Sequence, residues 1–170
     1  MLNEKVAKLL NEQVNKEFYS AYLYLSFSNF YKDLGLDGFA NWYNVQAQEE
    51  RDHAMLFIQY MQNNDVPVTL EAIDRPEAEL KEKMEALKAG YAHEQYVTGL
   101  IHNIYEAAYE VKDFRTMQFL DWFVKEQGEE ETNASDLIKK MELFGDDAKS
   151  LYMLDQELGG RTYAAPSLVL

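Results

Sequence analysis

From Leu2 to Leu34 the chain contains neither glycine nor proline, and its apolar and aromatic residues recur at alternating steps of three and four. Val6, Leu10, Tyr24, Phe27 and Tyr31 thereby fall on one face of a helix much longer than the average globular helix. Further long segments repeat the pattern, so the spacing predicts helices over about 4–33, 38–64, 83–112 and 114–143, with a short fifth over 147–158. Gly35, Asp37-Gly38, Gly145 and Gly159-Gly160 supply the expected stop and start signals. The first and second helices are joined by a short link, as are the third and fourth, so each pair forms an antiparallel hairpin. The second-to-third connection, about 65–82, is long and carries Pro67 and Pro76. It is long enough to run the length of a bundle. The expected fold is therefore all-α: a four-helix bundle with one long crossover and a short C-terminal helix, in a single domain spanning 1–170. The tail beyond Gly160 is expected to be mobile.

The four long stripes share an irregularity. Each should be apolar where it meets the core, yet each turns polar near its middle. The first carries Gln13, Glu17 and Ser20; the second Gln46, Glu50 and His53; the third Glu94; the fourth Gln127 and Glu130. In an up-and-down bundle positions at similar depth converge, so four carboxylates would meet in one buried layer. Left alone, buried like charges cost several kcal/mol each. No Lys or Arg lies on the stripes at that depth, so metal cations are the natural partners. Carboxylates with a single imidazole suit iron or manganese, whereas zinc usually recruits more nitrogen or sulfur. Glu50-x-x-His53 places two ligands one helical turn apart on one face, and Gln127-x-x-Glu130 is its counterpart. Either pair alone is a weak signal; four stripes broken at one depth are a strong one.

Composition agrees. A net charge of −14 disfavours nucleic acid and anionic membranes and favours cations. The absence of cysteine excludes thiolate and iron–sulfur sites. No apolar run is long enough to cross a bilayer. The opening Met1-Leu2-Asn3-Glu4-Lys5 lacks a basic region ahead of an apolar core. A cytoplasmic location is expected. Asn133-Ala134-Ser135 matches the glycosylation sequon by chance, since it lies inside a helical pattern.

Leu10-Asn11-Glu12-Gln13 with Glu17 and Tyr24, Ala47-Gln48-Glu49-Glu50 with His53, His93-Glu94-Gln95, and Glu126-Gln127-Gly128-Glu129-Glu130-Glu131 together resemble the bacterial non-haem ferritins. The resemblance covers nearly the whole chain and includes the short fifth helix. It implies an iron-storage subunit that oxidises Fe(II) with O2 or H2O2 at an intra-subunit di-iron ferroxidase centre. It also implies a homo-oligomeric cage of 24 subunits that holds the ferric mineral. One iron would sit on Glu17, Glu50 and His53, the other on Glu94 and Glu130. Glu50 would bridge the two, and Gln127 would stand close by as a weak ligand or hydrogen-bond donor. Glu49, Glu126 and Glu129 are implied as a third iron position, with solvated surface acids as the plainer reading. Tyr24 is implied as a redox or supporting neighbour of the centre, while Trp122 reads as core packing and His93 and His102 as packing or surface residues. Asp52 reads as a cavity-facing acid or an ordinary solvated one. Haem is not expected, because the chain has Asp52 where haem-binding relatives carry Met, and Gln127-x-x-Glu130 where they carry ExxH. Met117 and Leu120 align with the acids that line the threefold pores of animal ferritins, which puts that entry route in doubt. Tyr22, Phe30, Phe144, Tyr152 and Leu154 exceed what the stripes need and are expected at subunit contacts. A non-storage di-iron oxidase or peroxidase and a metal-free helical interaction bundle are the competing readings.

Overall fold

The computed structural model describes residues 2–76 and 79–170. It contains α1 (Glu4–Asp33), α2 (Asp37–Asn63), α3 (Lys83–Glu110), α4 (Phe114–Phe144) and α5 (Ala148–Leu158), with no strand among the described residues. The expected ends agree to within two residues. The largest difference is at α3, which stops before Val111 because Lys112 takes a left-handed φ of 57° and turns the chain into α4. Asn3, Asp113 and Asp147 cap α1, α4 and α5 through their side chains, and Glu82 with Glu85 forms a reciprocal capping box on α3.

Helix α1 packs along α2 and α3 along α4; the hairpins meet through α1 and α3, and α5 closes one end against α2 and α4. The crossover is tied to α1. Asn11 Nδ2 donates to the Thr69 carbonyl at 3.0 Å while its Oδ1 accepts from the Thr69 amide at 2.8 Å, and Asn15 donates to the Ala72 carbonyl. Two side-chain amides thus satisfy backbone that has no secondary structure of its own.

The core is divided. One apolar cluster gathers Val6, Leu10, Phe57, Ile101, Leu120 and Phe123; the other gathers Phe27, Tyr31, Phe39, Leu87, Leu137 and Met141. Between them every long helix contributes buried polar side chains. Going from the first cluster to the second, α1 and α4 run forward while α2 and α3 run backward. This is the sense that a crossover between two hairpins imposes.

Leu120 is fully buried and Met117 is half-buried against the same cluster. Other sequence expectations change. Leu154 is buried within its own chain against the second cluster, and Phe30 packs on that cluster too. Tyr22, Phe144 and Tyr152 are exposed as expected. The tail beyond Gly160 is not loose: it returns along α2 through side-chain contacts described below.

Helix α2 lacks a side-chain cap of its own, and α5 supplies one. The buried Asp155 carboxylate accepts from the Gly38 and Phe39 amides at 2.8 and 3.0 Å. The approach is so close that a Cβ on Gly38 would lie 1.6 Å from the Asp155 carbonyl oxygen, so only glycine fits there. Removing Asp155 orphans two buried donors. Asp155→Ala should cost about 1–3 kcal/mol and speed amide exchange at Gly38 and Phe39. Unchanged exchange at those two amides would show that α2 is held in another way.

Candidate metal centre

The polar layer is set by helix phase. Glu17 on α1, Glu50 and His53 on α2, Glu94 on α3, and Gln127 and Glu130 on α4 occupy the core-facing positions of their helices, and all six are at most 6% exposed. One oxygen or nitrogen from each of Glu17, Glu50 and His53 falls within 4.8 Å of the others. His53 Nδ1 lies 3.5 Å from Glu50 Oε2 and 4.0 Å from Glu17 Oε2. The remaining oxygens of the two acids are held by amides: Gln13 Nε2 donates to Glu17 Oε1 at 2.7 Å, and Gln46 Nε2 to Glu50 Oε1 at 3.1 Å. These donors fix each carboxylate and leave its other oxygen turned to the shared space. Glu17 Oε2 is buried with no hydrogen-bond partner. Such an orphan is rare in folded proteins and fits a group shaped to meet a cation.

Glu94 and Glu130 stand apart from that trio and share a cavity of about 20 Å³ with Tyr24, Gln46 and Gly90. This is room for one water-sized occupant. Glu94 is braced from both sides: the Tyr24 hydroxyl donates to Oε1, and Gln127 Nε2 donates to Oε2 at 3.1 Å. Tyr24 is packed in turn on Tyr43, whose ring stacks at 5.6 Å, and edge-on to His93. His93 is a packing residue bonded to Ser20 at 2.7 Å, and His102 is exposed. Trp122 and Phe123 present ring edges to His53 at 5.5 and 5.7 Å, forming an apolar wall.

Burial and the mutual repulsion of the acids govern which of them hold protons. Burial, reinforced by the Glu50 charge, pushes Glu17 up to about 8 and Glu130 up to about 7. Burial raises Glu94 well above the ordinary carboxylate range, with Glu50 and Glu130 adding to it. Burial also opposes charge on Glu50, yet His53 beside it holds its pKa below normal. Burial disfavours the imidazolium of His53, but Glu50, Glu17 and Glu130 outweigh it and raise the ring to about 10. At neutral pH the trio therefore carries an ionised Glu50, a charged His53 and a protonated Glu17. A divalent ion would replace those protons.

The three acids expected as a third position, Glu49, Glu126 and Glu129, line one vestibule of about 290 Å³ that also reaches His53 and Glu130. The first two have raised pKa values, chiefly through burial. Sequence reading missed a cation here. Arg161, from the tail, pairs with Glu49 and donates to Gln46 Oε1 at 2.9 Å. The four stripes carry no Lys or Arg at this depth, and this charge arrives from outside them. Arg161 follows directly on the Gly159-Gly160 stop, and that adjacency was the available signal. Glu129 pairs with Lys125 on the surface at 3.4 Å, and Asp52 accepts from Arg51 and Tyr163.

Residues 7–144, which hold nearly all of the four long helices, the crossover and the carboxylate–histidine layer, match a family model described as a ferritin-like domain. The chain belongs to the ferritin family. It is 40% identical over 156 residues to the bacterial non-heme ferritin of Campylobacter jejuni, covering 92% of this chain and 93% of that protein. It is 37% identical to the bacterial non-heme ferritin of Staphylococcus saprophyticus, covering 96% and 98%. Among solved structures, an open pore ferritin from the archaeon Archaeoglobus fulgidus superposes with a TM-score of 0.92 at 43% identity, covering 95% of this chain and 98% of that one. An engineered closed form of the same ferritin gives 0.94, also at 43% identity, with 96% and 100% covered.

The raised pKa values fix a sign for the ion-free protein. The Glu17 and Glu130 carboxyls ordinarily titrate near 4.5 but hold their protons to about 8 and about 7 when folded, so stability is lost as pH rises through those values. His53, raised from 6.5 to about 10, contributes stability that is complete below 6.5 and lost as pH rises towards 10. Both effects point the same way. The thermal midpoint of ion-free protein should fall by about 5 °C or more between pH 6 and pH 9, and Zn(II), which is redox-silent, should remove most of that slope. A flat or rising profile without metal would contradict the buried-acid assignment.

Proposed function

We propose that this ferritin oxidises Fe(II) at a two-ion centre in each subunit and stores the ferric product inside a cage of 24 subunits. The observation that carries the reading is the Glu17, Glu50 and His53 trio, whose donor atoms lie within 4.8 Å of one another around an unpartnered carboxylate oxygen. One Fe(II) is taken there. A second is taken between Glu94 and Glu130, whose cavity adjoins Gln46, the side chain that also holds Glu50, and Glu50 would bridge the two positions. As two ions enter, Glu17, Glu94, Glu130 and His53 give up their protons, and that release offsets the charge the ions bring.

Two adjacent ferrous ions can deliver two electrons together, reducing O2 with two protons to H2O2, or H2O2 with two protons to water. Paired delivery avoids releasing one-electron oxygen radicals. The chain's own part is positional. Gln13, Gln46, Gln127 and Tyr24 each hold a carboxylate oxygen, so the acids need not reorganise when the ions change charge. The walls of Phe123 and Trp122 limit water around His53.

Assembly is supported by exposed apolar side chains that one bundle leaves uncovered. Tyr22, Tyr109, Phe114, Leu143 and Tyr152 are each more than half exposed, and copies of the chain packed around them would bury that surface. The family relationship and the likeness to an archaeal ferritin described as having an open pore agree with a hollow homo-oligomer. No described helix is long and apolar enough to cross a membrane.

Two measurements test this. Metal-free protein loaded aerobically with a large excess of Fe(II) should elute from a sizing column as a large particle carrying iron far beyond three per chain. Iron that stops at two or three per chain would leave a non-storage oxidase as the better reading. Glu50→Ala should slow the fast phase of Fe(II) oxidation by about 100-fold or more while leaving the particle intact. Oxidation at the unmodified rate would remove Glu50 from the centre.

A further inference from the structure

The chain beyond α5 lies across the mouth of the Glu49 vestibule. Asn41 Nδ2 turns it back by donating to the Arg161 carbonyl at 3.0 Å and to the Leu158 and Gly159 carbonyls at 3.4 Å. The Arg161 guanidinium then sits 4.2 Å from the centre of the Trp42 ring, donates to the Trp42 carbonyl and to Gln46, and pairs with Glu49. Further along, the Tyr163 hydroxyl donates to Asp52, and Ser167 Oγ accepts from Trp122 Nε1 on α4 at 3.0 Å. The segment is thus a strap from α2 to α4. Beneath it the vestibule narrows to the buried His53 and Glu130. Arg161 is the one Lys or Arg among its lining residues, against four glutamates.

We infer that Arg161 is a tethered counter-cation, which fills the Glu49 position of the vestibule until a divalent ion displaces it and lifts the strap. This rests on the reading of the layer as a metal centre. A guanidinium is donor-only and permanently charged, so the oxygen it engages is closed to a metal ion, and the two cations repel if brought together. The tether keeps the competitor at a fixed local concentration that no dilution lowers. The vestibule therefore stays empty until the tighter inner positions have filled. Because the same guanidinium holds Gln46, whose amide donates to Glu50, displacement also loosens a support of the bridging carboxylate.

The chain has two tryptophans and both touch the strap. Trp122 also touches His53, so Trp122→Phe leaves Trp42 as the sole reporter of Arg161. In that background, assembled metal-free protein is titrated with Zn(II) by calorimetry and by tryptophan emission. The first two ions per chain should bind with little change at Trp42, and a weaker additional ion should shift its emission. Arg161→Gln should bind the additional ion at least tenfold more tightly, without the emission step. Arg161→Lys, which keeps a charge, should bind it nearly as weakly as the parent. An additional ion bound within twofold of the parent by Arg161→Gln overturns the inference, and so does an Arg161→Lys protein that binds like Arg161→Gln. A parent protein that binds no tight Zn(II) sinks the metal-centre reading and this inference with it.

Discussion

Four carboxylates held in one buried layer are the constraint around which the rest of this structure is arranged. An apolar bundle of this length would pack continuously from end to end. Here the layer splits the interior into two clusters, and each must be large enough to hold its half of the bundle. The aromatic richness of the chain answers that need, since Tyr31, Phe27, Phe39, Phe57 and Phe123 are among its largest fully buried side chains. Glu17, Glu50 and Glu94 are then tied by neutral donors from their own or a neighbouring helix. A neutral donor steadies a carboxylate without spending its charge, whereas a lysine or arginine at the same place would compete with any metal ion for it.

Helix phase and loop length were legible in the sequence because both follow from local rules. The alternating steps of three and four placed Glu17, Glu50, His53, Glu94, Gln127 and Glu130 on core faces, and those six side chains are buried together. The long link between α2 and α3 dictated which helices run parallel. Gln13 and Gln46 also lie on the stripes, but nothing in the spacing said which carboxylate oxygen each would hold.

What escaped were contacts between residues remote in sequence. Asp155 caps α2 across more than a hundred intervening positions, and in the sequence it reads as one more acid on a polar helix. Gly38 looked like an ordinary helix-start signal, whereas it is glycine because a backbone carbonyl of α5 occupies the space a Cβ would need. Leu154 was assigned to a subunit contact because it exceeds what the four stripes need, whereas α5 closes on the second cluster and buries it there. Arg161 was overlooked for a related reason. A short run after two glycines carries no periodicity, so its order depends wholly on what it meets: here Asn41, Trp42, Gln46 and Glu49 on α2.

The unpartnered Glu17 oxygen has a bearing on the lifetime of the protein. A subunit without metal keeps Glu17, Glu94 and Glu130 neutral by holding protons, and on the proposed reading one with metal exchanges those protons for ions that bind only the folded form. By mass action the loaded subunit opens less often than the empty one. Any protease that captures transiently opened chains would accordingly remove empty particles first, so the abundance of the protein would follow the supply of its cargo without a dedicated sensor.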